Sequence, residues 1–221
     1  PVPLRVEIYP DAMGFTTCSS LPLEAVQNTG IVAISKWDRL MIHSPRALGR
    51  GYDWKDTLVH EWIHQVIAWN SRNSAPVWLH EGIAKSLDMR WRVDGFELPV
   101  QMQSALSKAL RDDDFVEFEE MRYSFAFLDS ADRASLAYAQ VSTQIAFLQE
   151  RAGQKATARL LRGLAEGEEA ESALAAVYGK GFEQFLEDWK QWIATLPLVE
   201  EALATLPTVV SGEENGFAQD P

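Results

Sequence analysis

The sequence predicts an α+β fold, with a β-sheet lobe at the N-terminus and a helical lobe at the C-terminus. Short apolar runs with strand periodicity fill residues 1–52. Two apolar helical stretches occupy residues 53–92, and further helices separated by glycine fill residues 96–196. Strands followed by helices, rather than alternating with them, are typical of this class. We expect one domain over residues 1–196 and a partly disordered tail over residues 197–221.

The predicted strands lie at residues 4–9, 30–35 and 39–43. The first alternates apolar and polar side chains with the period of a half-buried strand. The other two are separated only by Lys36-Trp37-Asp38, which is a hairpin-length link. A short helix is expected at residues 21–27, and Cys18 is expected to lie in a turn.

Five helices are predicted after the central stretch, at residues 99–110, 135–151, 155–164, 171–178 and 182–196. Gly153 is expected to end the second of them. Residues 115–128 are aromatic without a clear period and are expected to connect two helices while packing on the core. A weak helix is expected beyond Pro197, and residues 211–216 have a composition typical of disorder.

The main candidate functional residues lie in the stretch His60-Glu61-Trp62-Ile63-His64, which has the pattern H-E-x-x-H. Residues four apart in a helix lie one above the other, so both imidazoles can point to one place. Neutral imidazole is a good ligand for a divalent transition metal. Glu61 can reach a metal-bound water without binding the metal itself. Two histidines with a glutamate as general base form the pattern of zinc metalloproteases.

The same pattern also arises by chance on solvated helices, so the neighbouring residues decide whether it indicates a metal site. The apolar neighbours are Leu58, Val59, Trp62, Ile63, Val66 and Ile67. They surround the histidines in nearly every direction, and such a helix is expected to be buried. Buried imidazoles need partners, and a metal would be one. Asp53, with Asp56 three positions later, favours a capping box at the start of this helix.

A second stretch, residues 76–84, adds a candidate third ligand. Catalytic zinc typically keeps three protein ligands and leaves the fourth position to water. Glu81 lies seventeen positions after His64, which is enough for a helix end, a turn and a new helix start. Apolar residues at helical spacing are Leu79, Ile83 and Leu87. They predict a second buried helix.

H-E-x-x-H followed by Trp78-Leu79-x-Glu81-Gly82-x-Ala84 resembles the gluzincin branch of metallopeptidases, and most closely the peptidase MA-like family of bacterial proteins. The resemblance covers roughly residues 1–196. It implies a zincin fold, in which H-E-x-x-H lies on the active-site helix of the sheet lobe. It also implies zinc-dependent hydrolysis of peptide bonds, with a peptide or protein as the substrate.

The resemblance further implies roles for individual residues. Zinc would be held by His60, His64 and Glu81, while Glu61 would accept a proton from the attacking water as general base. The oxyanion of the tetrahedral intermediate needs another hydrogen-bond donor. Tyr138 is the candidate, because it lies in the Ala-Tyr-Ala-Gln context of the family. The alternative is a tyrosine of the core or of its rim.

Three further features leave alternatives open. His80 adjoins the third ligand but points about 100° away from it, so it either lines the cleft as a substrate contact or is a competing ligand. Asp88, seven positions after Glu81, either orients a ligating histidine or is a surface residue. In gluzincins, a strand before the active-site helix forms the sheet edge along which an extended peptide lies. Residues 30–35 are the candidate for this strand, and an internal strand is the alternative.

The chain departs from the zinc aminopeptidases, which hold a free substrate N-terminus with a G-x-M-E-N motif that this sequence lacks. An endopeptidase is therefore expected. The alternative from another functional class is a zincin-fold binding or scaffold module without turnover. Glu61 argues against that alternative, since a structural zinc site is usually closed by four protein ligands and needs no glutamate between the histidines.

The composition limits the classes of partner that the chain is expected to bind. The 221 residues are 47% hydrophobic and 24% charged, as in ordinary globular proteins, and the net charge is −12. This charge argues against binding to nucleic acid or to an anionic membrane surface. No apolar run reaches the length of a membrane span. The chain begins at Pro1, so we expect a processed or trimmed form, with which export or a place in the cell envelope is compatible.

Overall fold

A computed structural model describes residues 4–23, 26, 31–49, 51–125 and 128–199 of the chain. The strands are β1 (Arg5–Tyr9), β2 (Ala33–Lys36) and β3 (Arg39–His43). The helices are α1 (Ala12–Ser19), α2 (Trp54–Ser71), α3 (Val77–Leu87), α4 (Val100–Asp112), α5 (Ala131–Ala152), α6 (Ala156–Ala165), α7 (Ala170–Tyr178) and α8 (Phe182–Ile193). One 3-10 turn spans Glu120–Arg122. A small N-terminal sheet followed by a largely helical region confirms the predicted α+β class.

The sheet has the strand order β1-β3-β2. β1 runs parallel to β3, while β2 runs antiparallel to it in the predicted hairpin. Trp37 and Asp38 form the turn, with φ values of 55° and 56°. Two positive φ values in a two-residue link are typical of the hairpin turns that match the strand twist. Within the described residues, β2 is an edge strand, which favours the edge interpretation over the internal one.

The two faces of the sheet pack against different helices. On one face Phe15 of α1 packs against Met41 of β3, and both side chains are fully buried. α2 packs against β2 and β3. Because successive strand residues point to opposite faces, the fully buried run from Leu40 to Ile42 requires cover on both sides. The sheet therefore lies between α1 and α2.

The helical region is built around α5, which packs against α3, α4, α6, α7 and α8. Its fully buried apolar residues include Ala137, Ala139, Val141, Ile145 and Leu148. Ser130 caps the helix by accepting a hydrogen bond from the Arg133 N–H at 3.1 Å. This cap explains why α5 begins four residues before the predicted start at Ser135. Gly153, with φ 87°, ends it as predicted.

α3 approaches α5 closely at Gly82. A Cβ atom at this position would lie 2.8 Å from the carbonyl oxygen of Val141 and 3.2 Å from Cγ1 of Ile145. Only a residue without a side chain allows the two backbones this separation. Gly82 therefore sets the distance between the helix that carries Glu81 and the central helix of the fold.

Several local predictions are wrong. Cys18 lies in α1 and not in a turn. Asp53 does precede α2, but its side chain makes no capping hydrogen bond. Asp56 instead accepts hydrogen bonds from the Trp91 indole and the Arg92 guanidinium, so the capping box is absent. Trp62 is 48% exposed, which shows that α2 is not buried in every direction.

Other predictions agree with the structure or are not tested by it. Val116, Met121 and Phe125 are buried, in line with a core-packed connection at residues 115–128. Part of the expected helix at residues 21–27, the first residue of the strand at 30–35, and the expected helix and disorder beyond residue 199 lie outside the described residues. The domain division at residue 196 stays a prediction. No helix in the described ranges has the length and apolar character needed to cross a bilayer.

Candidate metal centre

α2 brings His60, Glu61 and His64 together through its helical repeat. The two imidazole rings have centroids 4.7 Å apart and stand nearly perpendicular, at 87°. His60, Glu61 and His64 can each offer one ligand atom, and these atoms lie within 4.8 Å of one another. The described residues thus contain a His/Glu/His cluster that could hold a metal ion.

Glu81 reaches the same place from α3. Its Oε2 lies 3.4 Å from Nε2 of His60 and 3.7 Å from Nε2 of His64. This oxygen is buried and makes no hydrogen bond to the described part of the chain. A buried carboxylate needs a compensating cation, which is the protonated His60 ring in the metal-free state and would be the metal in the bound state.

The donor set and its spacing fit a zinc ion. Nitrogen and carboxylate oxygen ligands lie about 2.0–2.1 Å from zinc in a tetrahedral site, which places them about 3.3 Å from one another. Distances of 3.4 and 3.7 Å between the carboxylate oxygen and the two nitrogens are close to that value. Three ligands leave the fourth tetrahedral position open. The site therefore fits the open arrangement of catalytic zinc better than a closed structural one.

Glu61 is nine-tenths buried beside this set. Burial raises the pKa of its carboxyl group to about 7, although the charge of His60 and a hydrogen bond from the Ser35 backbone N–H act in the opposite direction. A group with a pKa near 7 can both accept and release a proton near neutral pH. Ser35 belongs to β2, so the edge strand contacts the candidate base directly.

The two histidines differ in protonation when no cation is present. Burial lowers the pKa of His64 to about 3, so its ring is neutral and can offer a lone pair. Burial also acts to lower the pKa of His60, but the neighbouring carboxylates of Asp88 and Glu81 raise it to about 9. His60 thus carries a proton between two carboxylates. A divalent cation would displace that proton, as metal binding to histidine generally does.

Asp88 lies behind His60 and is only 3% exposed, so the surface alternative is wrong. Its Oδ2 lies 3.4 Å from Nδ1 of His60 and accepts a hydrogen bond from Lys85 Nζ at 2.9 Å. His60 therefore has one ring nitrogen directed to Glu81 and the other to Asp88. A carboxylate against the distal nitrogen of a ligating histidine fixes the orientation and tautomer of the ring.

Tyr138 lines the cavity that contains both histidines and both glutamates. Its ring packs edge-on against Phe125 at a centroid distance of 4.9 Å. Burial and the negative charges of Glu81 and Glu61 hold the pKa of its hydroxyl well above the usual range. The hydroxyl is therefore protonated and able to donate a hydrogen bond. Tyr138 both packs against the helical core and lines the cavity of the site.

His80 faces the same cavity without joining the close set. Its ring centroid lies 5.5 Å from that of His64. Burial lowers the pKa of His80, so this ring is neutral at physiological pH. The position agrees with the expectation that His80 and Glu81 point in different directions.

Two cavities share His60 and Tyr138 in their lining. One has a volume of about 690 Å³ and extends along β2 and the second half of α2. The other, of about 550 Å³, extends between the first half of α2 and the segment after α3, past Lys85 and Arg92.

Some residues of the site were not recognised from the sequence. Trp37, Gln65 and Trp69 line the larger cavity, and Gln65 donates a hydrogen bond to Asp38 in the hairpin turn. Gln65 and Trp69 lie on α2 one and two turns beyond Glu61, so helical spacing could have indicated them. Trp37 could not be found this way, because its place depends on the hairpin turn.

Comparison with protein families agrees with this geometry. The family model described as Peptidase MA superfamily matches residues 3–195, from before β1 to beyond α8. Comparisons with curated proteins and with solved structures find no match. The superfamily is generally metal-dependent, as is expected for a chain with the His/Glu/His cluster on α2. The match over nearly the whole chain confirms the resemblance drawn from the two motifs and shows that this protein belongs to the Peptidase MA superfamily.

Proposed function

We propose that this chain is a zinc-dependent metallopeptidase whose metal is held by His60, His64 and Glu81. The observation that carries the proposal is the position of the Glu81 Oε2 atom. It is buried, makes no close hydrogen bond within the described residues, and lies 3.4 and 3.7 Å from the Nε2 atoms of His60 and His64. Three such donors from two helices match the ligand number and spacing of a catalytic zinc site.

The metal, when bound, would polarise the scissile carbonyl and lower the pKa of a water molecule. Glu61 would accept the proton of that water and donate it to the leaving amine. Its burial and its raised pKa suit both steps, because the group must take up and release a proton at the same pH. Tyr138 would donate a hydrogen bond to the oxygen on which negative charge develops, a contact stronger in the transition state than in the substrate.

The chain is proposed to be an endopeptidase. Cavities on both sides of His60 and Tyr138 leave room for substrate residues before and after the scissile bond. The absence of the G-x-M-E-N motif from the sequence supports the same proposal. The outer edge of β2 pairs with no strand within the described residues, and its outward backbone groups other than the Ser35 N–H can offer hydrogen bonds to an extended peptide.

The test combines metal analysis with peptide cleavage. Wild-type protein and Glu61→Gln are expected to bind about one zinc ion per chain, whereas His64→Ala is expected to lose it. Glu61→Gln should lower the hydrolysis rate by about 10² to 10⁴, because it removes the general base but no ligand. Cleavage of a mixed peptide library, read by mass spectrometry, provides the activity measurement.

Each other outcome has a defined meaning. Equal turnover by wild type and Glu61→Gln would remove Glu61 from the mechanism. Stoichiometric zinc without any cleavage by the wild type would favour the binding-module alternative. Full zinc content in His64→Ala would show that the metal lies elsewhere and would contradict the proposed ligand set.

A further inference from the structure

The larger cavity ends in an aromatic region that the proposed chemistry does not use. Trp37 and Trp69 both line it, and they are 54% and 43% exposed. Large apolar side chains at such exposure lose free energy that burial would provide. Their indoles face the cavity that also contains the two histidines, so they continue the candidate active site rather than form a separate patch.

The backbone at Trp37 is unusual for its side chain. Trp37 has a φ of 55°, in the left-handed region that glycine, asparagine and aspartate adopt readily in hairpin turns. A bulky residue there is a true outlier. Backbone strain of this kind is concentrated at functional sites, because elsewhere a better residue is easily accepted.

The turn is held in place by side chains of α2. Asp38 accepts hydrogen bonds from Gln65 Nε2 at 3.0 Å and from Trp69 Nε1 at 3.3 Å. Gln65 in turn accepts a hydrogen bond from Ser35 Oγ at 3.3 Å. The hairpin tip and the second half of α2 are therefore linked: the Trp69 indole donates to this network, and Trp37 precedes Asp38 in the turn.

Cationic side chains support the Trp37 ring. Lys36 Nζ lies 4.2 Å and Arg39 Cζ 5.4 Å from its centroid. Lys36 and Arg39 are cross-strand partners, so their side chains leave the same face of the sheet. The indole thus lies against a pair of cations, which fixes its position by cation–π attraction.

From these contacts, the geometry points to a specificity subsite at Trp37 and Trp69 that binds a large apolar or aromatic side chain of the peptide substrate. Trp69 follows His64 by five residues, or about 7.5 Å along a helix. An extended peptide covers about 3.3 Å per residue, so the preferred side chain lies about two residues from the scissile bond. This inference rests on the proposed function, since it assumes that a peptide lies along the cavity.

The test measures binding and does not need turnover. A fluorescein-labelled dodecapeptide of alanine, serine and glycine is compared with versions that carry one phenylalanine at successive positions. Affinity for the Glu61→Gln protein is measured by fluorescence anisotropy, with added zinc and without metal. A single phenylalanine at the favoured position should tighten binding about tenfold, which is what burial of one such side chain provides.

Two variants in the Glu61→Gln background identify the subsite. Trp37→Asn is expected to reduce the tenfold gain to about threefold or less, while its melting temperature stays equal or rises, because asparagine tolerates the left-handed backbone. Trp62→Gln is the matched control: it also removes a half-exposed indole, but from outside the cavity lining. The control should keep the full gain.

The results separate this inference from the proposed function. Equal affinity for all peptides, no measurable binding, or an unchanged gain in Trp37→Asn would overturn the subsite. Loss of the gain in Trp62→Gln as well would also overturn it, because the effect would then not be local. Failure of the wild type to cleave peptides, together with a phenylalanine gain that needs Trp37, would reject the peptidase proposal and leave the subsite standing.

Discussion

α2 and α3 both carry side chains of the proposed metal site, but these side chains are brought together in different ways. α2 presents His60, Glu61 and His64 within a single turn, and its far side exposes Trp62 to solvent. α3 presents one ligand, Glu81, and is held against α5 by a contact that only glycine permits. A local motif is enough to gather the groups of α2, whereas the position of Glu81 depends on the packing of three helices.

Among the substitutions that test this comparison, one on α5 has the largest expected effect. Tyr138 lies on α5 and lines the same cavity as the side chains that α2 and α3 are proposed to supply. Tyr138→Phe should lower kcat and kcat/KM by similar factors of about a hundred, since loss of one oxyanion donor costs roughly 3 kcal/mol in the transition state alone. Steady-state cleavage of the best library peptide gives both constants, and zinc content should not change.

Tyr123→Phe provides the matched control, because it removes the same hydroxyl from a residue that is 66% exposed and lies outside the lining of both cavities. It should cleave like the wild type. A normal Tyr138→Phe enzyme would show that α5 contributes shape but no hydrogen bond, and His80 would become the next donor to test.

Sequence reasoning predicted the geometry where the contacts are local. Glu61 and the two histidines follow from four-residue spacing, and the hairpin follows from two apolar runs with a three-residue link. Glu81 could be selected only by resemblance, because nothing in its spacing from His64 specifies a contact across two helices. Ser130 was missed as the cap of α5, since the apolar period starts later than the helix itself.

The Asp88 alternatives could not be separated from sequence for a related reason. Spacing of seven from Glu81 places both residues on one face of α3, but it does not say what that face meets. In the structure it meets His60, and the capping box predicted on α2 gives way to Arg92 and Trp91 because they reach Asp56 from beyond α3. Tertiary contacts decided both outcomes.

Asp88→Asn tests whether α3 contributes more than its ligand. The substitution keeps the size of the side chain but removes the charge that faces Nδ1 of His60. Zinc affinity should fall by about tenfold, within the range of roughly 10- to 100-fold that is typical when the partner of a ligating histidine is lost. Competition with a chelator of known affinity measures the change.

The exposed Asp94 offers the same substitution on the segment after α3. Asp94→Asn should bind zinc like the wild type. If Asp88→Asn bound zinc equally well but melted at a lower temperature, the residue would have a purely structural role with Lys85.

The smallest expected effect is that of Gly82→Ala, which tests the close backbone packing of α3 against α5. In Gly82→Ala the new Cβ would meet the carbonyl oxygen of Val141 at 2.8 Å and its carbonyl carbon at 3.1 Å. A helix backbone cannot rotate away as a side chain can, so α3 and α5 must separate. Overpacking of this kind costs about 1–3 kcal/mol, whereas alanine in a helix gains about 1 kcal/mol over glycine.

We expect overpacking to win, with a net loss of about 1 kcal/mol in the free energy of unfolding, measured by urea denaturation of the metal-free protein. Gly49→Ala is the control, because a Cβ there meets nothing within 4 Å. The separation should also move Glu81 relative to the α2 histidines, so zinc affinity should fall in Gly82→Ala alone. If Gly82→Ala were as stable as the wild type, the gain in helix propensity would offset the overpacking, and close packing at Gly82 would not hold α3 in place. The position of Glu81 would then not depend on close helix packing, and the contrast between α2 and α3 would be wrong.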